Sequence, residues 1–279
     1  MRLEINKSDF ERAVPAAREP KGRIFAVMED AIRAKADLIG FQILGEPGMK
    51  LVEDGEGEDA DRLRMLTVRL ACVGAFLEEM RGLDLVLTAT GFGVVSTQDT
   101  APASKQRVDA LDGELRRKER LARSDLLAYL FLIDGWSRTE QRHANVTTLF
   151  YSFHMLEQYA AIPRPKPEDW DMNTPAMAAA DNHLRKHIGH DYMEQLLDQM
   201  TSNTLTDANR PVVVLCQRFI GAWIAQDRRL KEELYMRLIN RLESDLDVYS
   251  AYAGSEAYRL NHFKPYENHA EDSAFHFVG

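Results

Sequence analysis

His183, His187 and His190 fall at i, i+4 and i+7, a spacing that lines up three imidazoles on one helix face. Imidazoles at i and i+4 can share a divalent metal ion through their neutral nitrogens. Gly189 interrupts the helix before the third histidine, no acidic ligand is clearly placed for a shared metal, and no HExxH accompanies them. Exposed histidines by a helix end are the simpler reading. A helical metal- or small-molecule-binding protein, or an enzyme using this cluster, is the alternative.

Other chemistry-bearing patterns are thinner. The run Asp54-Gly55-Glu56-Gly57-Glu58-Asp59 alternates acids like a calcium loop. It lacks the glycine at position six, and position twelve is Met65 rather than a bidentate glutamate, so it reads as an acidic turn before a helix. Gly91-Phe92-Gly93 is a lone GxG that opens no helix, which argues against a dinucleotide site. Ser96, Ser104, His143 and His154 are not spaced as a catalytic triad. The sequence assigns no catalytic residue and no cofactor, and the expectation is a protein that is not an enzyme.

Arg116, Arg117, Lys118 and Arg120 cluster on one predicted helix. They read as a solvated face, with a phosphate- or partner-binding patch as the functional alternative. The formal net charge of −9 argues against nucleic acid as a partner while leaving a local basic face open. Salt-dependent DNA binding would be the signature of that minor reading.

The elements that must position these residues are nearly all helical. With 279 residues, 45% of them hydrophobic and 28% charged, the chain can build one large core or two smaller ones. Cys72 and Cys216 lie in apolar helical runs, which suits buried free thiols. No apolar h-region opens the chain, and no apolar run reaches membrane-spanning length. The expected location is therefore the cytoplasm, or an assembled virion, without a membrane partner.

Arg2 to Ile5 alternate as a short edge strand would. Ile24, Val27, Met28, Ala31, Ala34, Leu38 and Phe41 give a helix over 21–44 that Gly45 and Pro47-Gly48 should stop. A helix over about 61–82, with Asp59 or Asp61 as cap, is apolar nearly all round and belongs at the centre of a bundle. Further helices are expected over about 104–132, 138–161, 173–187, 190–201 and 209–224, with another carrying Leu234, Leu238, Leu242 and Leu246. Pro163 to Pro167 reads as a stiff linker, and the tail from about 260 as extended.

The exception is 85–96. Leu85–Thr88 and Phe92–Ser96 are strand-like, with Ala89-Thr90-Gly91 between them, which predicts a β-hairpin. Around it the chain repeats itself. Asp59-Ala60-Asp61-Arg62 resembles Asp207-Ala208-Asn209-Arg210, and Gly74-Ala75-Phe76-Leu77 resembles Gly221-Ala222-Trp223-Ile224. Leu44-Gly45 likewise matches Ile188-Gly189. The expected fold is therefore mainly α: two diverged helical-bundle repeats with one β-hairpin insertion at about 85–96. The first half is 1–134 with the hairpin, and the second is 135–279 with the proline-rich linker at 163–167.

The block Gly91-Phe92-Gly93-Val94-Val95-Ser96, Ala101-Pro102-Ala103-Ser104, Arg107-Val108 resembles an uncharacterised family of prophage-type proteins from gut bacteria. Trp136, Thr148-Leu149-Phe150 and Ile188-Gly189 resemble its later order more loosely. The resemblance implies a virion structural role, such as a head–tail connector or adaptor, and no catalytic residues. Leu85, Leu87, Phe92, Val94 and Val95 are then the expected interface. The expected partner is a second copy of the chain or another phage structural protein.

Overall fold

The computed structural model describes residues 3–18, 23–83, 85–88, 91–94 and 104–263, the two segments between 85 and 94 by backbone alone. These residues are mainly helical, the class expected from the sequence. In chain order the helices are α1 Lys7–Ala13, α2 Arg23–Ile39, α3 Gly45–Asp54 and α4 Glu58–Glu79. After two short strands, β1 Leu85–Thr88 and β2 Gly91–Val94, come α5 Lys105–Leu130, α6 Glu140–Asn145, α7 His154–Tyr159 and α8 Pro167–Ile188. The chain continues with α9 His190–Thr201, α10 Asn209–Ile224, α11 Arg228–Glu243, α12 Ser250–Ala253 and α13 Glu256–Asn261.

Two central helices organise the rest. α4 packs between α2 and α5 and also meets α1; α10 packs between α8 and α11 and also meets α7. Their near-continuous apolar surface is the reason, since each buries residues on every side. The larger core runs from Ala36 to Tyr252, across both halves of the sequence, and a smaller cluster around Phe10, Met28, Ile32 and Phe76 lies under α1. Cys72 and Cys216 are buried free thiols, as expected.

The glycines of the sequence repeat occupy like positions. Gly45 and Gly189 both have positive φ, 63° and 97°, where the chain turns from a long helix into a short one. Gly74 and Gly221 are both close-approach points on the central helices. A Cβ on Gly74 would meet the Lys35 side chain, and one on Gly221 the Tyr159 backbone.

Several boundaries differ from expectation for local reasons. Residues 3–5 are not a strand; they lead into Asn6, whose side chain and Asp9 form a capping box for α1. The first long helix passes through a π-helical turn at Gly40–Leu44, and Gly45 redirects the chain into α3 instead of ending helical structure. Pro47 sits in the first turn of α3, where its missing N–H costs nothing. α4 is entered from Gly57 without a side-chain cap, so neither Asp59 nor Asp61 is the cap residue.

The helix expected over 138–161 is broken into α6 and α7. The β-branched run Val146-Thr147-Thr148 disfavours helix. Tertiary bonds hold the irregular stretch instead: Gln217 donates to the Leu149 carbonyl, and Ser124 accepts from the Phe153 N–H. The proline-rich stretch is packed, with Pro167 buried as the first residue of α8. That helix therefore starts six residues before the expected Asn173 and carries Pro175 inside it. Asn173 and Thr174 donate side-chain bonds to the Asp169 and Trp170 carbonyls on the turn beside that proline.

β1 and β2 pair antiparallel, with Leu85 opposite Val94, Val86 opposite Gly93, Leu87 opposite Phe92 and Thr88 opposite Gly91. The connecting residues 89–90 and the residues after Val94 lie outside the described residues, as does the tail from 264.

Candidate functional site

Three places gather the residues singled out by the sequence. The first is the 85–94 ladder. Its register puts Leu85, Leu87, Phe92 and Val94 on one face, and Val86, Thr88, Gly91 and Gly93 on the other. Val95 lies outside the described residues. Among the described residues the sheet has two strands only, so each strand keeps one edge without a strand partner.

The second place is the histidine cluster, where the structure separates what spacing grouped. His183 and His187 lie together, ring centroids 4.3 Å apart, between α8, α10 and α11. His183 stacks on Phe219 and also meets Trp223 and Tyr235; His187 meets Tyr235 edge-on. Lys231 sits over the Trp223 ring at 4.4 Å. Burial pushes the His183 imidazole below its ordinary range, and His187, Lys231 and Lys186 push it the same way. Burial and Lys186 do the same to His187.

As neutral rings the pair packs like two more aromatics; as imidazolium it would face two lysines. Gly189 turns His190 out of this group, 3.4 Å from an Arg185 guanidinium nitrogen. Among the described residues, no three His, Cys, Asp or Glu side chains come together as metal ligands.

The third place is α5, whose basic residues diverge. Arg116 bonds Asp112 at 2.7 Å and Arg120 bonds Asp171 of α8 at 2.7 Å. Arg117 is half-buried with its Nε unbonded, and Lys118 lines a groove between α1, α4 and α5 together with Arg69 and Asp125. The four residues thus form no single basic face. Two of them, Arg116 and Arg120, instead join Lys35 and Arg123 around a cavity of about 270 Å³ between α2, α5 and α8.

Sequence reasoning missed the buried polar chemistry. Arg142 is almost wholly buried; it donates to Thr201 Oγ1 at 3.0 Å and to Asp198 at 2.6 Å, joining α6 to α9. Its Nη1 lies 2.8 Å from His143 Nδ1, which must accept, so the neutral ring carries its proton on Nε2. Asp181 is buried with Oδ2 on Arg185 and Oδ1 unbonded, and burial raises its carboxyl above the usual range despite Arg185. Arg123 donates to Asn145. A lone arginine in a polar stretch carries no pattern that would mark it as buried.

Fold and sites together define a mainly helical protein with a two-stranded ladder, a histidine–aromatic cluster and a cavity lined by four cations and three carboxylates. No helix among the described residues is long and apolar enough to cross a membrane. Residues 47–145, about a third of the chain and spanning α3 to α6 with the ladder, match a family described as a family of unknown function (DUF6712). No curated protein and no solved structure matches the chain.

Proposed function

We propose that this is a non-enzymatic assembly protein that oligomerises through its 85–96 segment, a hairpin inserted between two diverged helical repeats. The observation that carries the reading is the register of the ladder. Four apolar residues, Leu85, Leu87, Phe92 and Val94, share one face of a ribbon whose two outer edges have no strand partner among the described residues. A two-stranded ribbon is marginal in water by itself, and its edges are templates for strand addition. Subunits joined head to tail around an axis in this way would close into a ring. Val27, Leu38 and Phe41, exposed on the outer side of the helix before α3, add further apolar surface for such contacts. The likeness of the 91–108 block to prophage-type proteins makes a head–tail connector or adaptor the particular assembly proposed, with a phage structural protein as second partner.

Light scattering on the intact chain and on a chain lacking residues 85–96 tests the reading. Defined oligomers from the intact chain and monomers from the deletion are expected. Monomeric masses for both, alone and with a portal-type partner, would overturn it. Circular dichroism of the deletion guards against loss by unfolding, and Leu87→Asp with Phe92→Asp is the second variant.

A further inference from the structure

We propose that the cavity between α2, α5 and α8 is the seat of one small, phosphate-class oxyanion, with Arg123 as its principal donor. Four cations line it: Lys35, Arg116, Arg120 and Arg123. Three have carboxylate partners, Lys35 with Glu78, Arg116 with Asp112 and Arg120 with Asp171. Arg123 differs. Its hydrogen bond goes to the neutral Oδ1 of Asn145, and no carboxylate forms an ion pair with it among the described residues. Burial pushes its guanidinium below the ordinary arginine value, Arg120 pushes it further, and Glu119 only opposes the shift. A partly buried guanidinium without a carboxylate partner of its own is open to pairing with a bound anion.

The donor is also aimed. The Asn145 side-chain nitrogen donates to the Gln42 and Gln141 carbonyls, both at 2.7 Å, which turns Oδ1 toward Arg123. One guanidinium N–H is thereby anchored, and the planar fork keeps further donors for a ligand. Pro167, the first residue of α8, lines the same cavity. The size limits the occupant. Drug-sized ligands fill roughly 300–1,000 Å³, and this cavity is about 270 Å³. Glu119, Glu168 and Asp171 on its wall also disfavour an extended polyanion. A guanidinium matches phosphate oxygens bidentately, which makes a phosphate-class oxyanion the occupant that suits Arg123.

The test is isothermal titration of the full chain with inorganic phosphate and with pyrophosphate. Malonate is the dicarboxylate control, and sodium chloride at matched ionic strength is the screening control. Saturable binding of phosphate or pyrophosphate is expected, at least tenfold weaker in Arg123→Gln and weakened in Arg120→Gln, with Glu119→Gln binding at least as tightly as the parent. Phosphate alone or pyrophosphate alone would distinguish a single phosphoryl group from a linked pair. Should Arg123→Gln fail to fold, Arg123→Lys, which keeps the charge and loses the fork, replaces it. Absence of saturable heat overturns the proposal. So do malonate binding without phosphate binding, and phosphate binding unchanged in the Arg123 variant. If Glu119→Gln destabilises the chain as much as Arg123→Gln does and phosphate restores neither, Glu119 is the counter-ion and the proposal fails.

Discussion

The indole Nε1–H of Trp136 donates to the Ile43 carbonyl at 2.9 Å, across 93 positions of sequence. It is one of three such bonds. Gln141 donates to the Phe41 carbonyl at 3.0 Å and Asn145 to the Gln42 carbonyl at 2.7 Å. The π-helical turn at 40–44 and the positive φ of Gly45 end the first long helix, whose last carbonyls would otherwise lack partners. Three side chains from Trp136 to Asn145 cap it from a distance.

Trp136→Phe tests that cap. The variant keeps most of the buried ring and leaves the Ile43 carbonyl without its donor. A loss of about 1–3 kcal/mol from the unsatisfied group is expected, read by urea unfolding. Gln141→Ala should cost less, because its bond to Phe41 is exposed and water can replace it. Equal stability of Trp136→Phe and the parent would show that the carbonyl needs no cap.

The Arg142–Asp198 pair should respond unequally to removal of its two ends. Arg142 is buried, whereas the Asp198 side chain is 65% exposed. Asp198→Ala leaves a buried guanidinium without its carboxylate, an expected loss of about 2 kcal/mol. Arg142→Met fills similar space, and water solvates the carboxylate left behind, so the loss should be smaller. Urea midpoints of the two variants in the reverse order would contradict this.

Stability should fall on mild acidification through the histidine pair. His183 and His187 are both held below the ordinary histidine value in the fold. Unfolding lets them take up protons, so their contribution is intact above about pH 6.5 and is lost as pH drops below it. The fall in unfolding free energy from pH 8 to pH 5 should be shallower in His183→Gln/His187→Gln than in the parent. On the alkaline side, burial pushes the Cys72 thiol up to about 12 from its ordinary 9.0. Its contribution should be lost between those values, and Cys72→Ala should flatten that limb. Parallel pH profiles for parent and variants would refute both assignments.

The two central-helix glycines should separate on substitution by alanine. A Cβ at Gly221 would lie 2.4 Å from the Tyr159 carbonyl oxygen, a backbone atom that cannot swing away. Gly221→Ala should cost about 1–3 kcal/mol through strain. At Gly74 the nearest atom is Lys35 Cε at 2.7 Å, the far end of a flexible chain. There the helix-propensity gain of about 1 kcal/mol offsets the shift, leaving thermal stability nearly unchanged. Equal losses at both positions would show that the Lys35 stem is as fixed as the Tyr159 backbone.

The sequence by itself determined the helical class, the two central helices and the buried thiols. Apolar periodicity is a local signal: a helix apolar on every side has nowhere to go but the middle. It also placed a break at Gly189 between a long helix and a short one. Tertiary structure alone decided the polar chemistry. Spacing placed His183, His187 and His190 together, but Gly189 turned the last away and aromatic rings from α10 and α11 enclosed the other two. Spacing placed Arg116, Arg117, Lys118 and Arg120 in one patch, but α4 and α8, packed against different sides of α5, divided them. Arg142 and Asp181 gave no sign of burial, because whether a charge is desolvated depends on what packs over it. That covering comes from residues distant in sequence, and no local pattern encodes it.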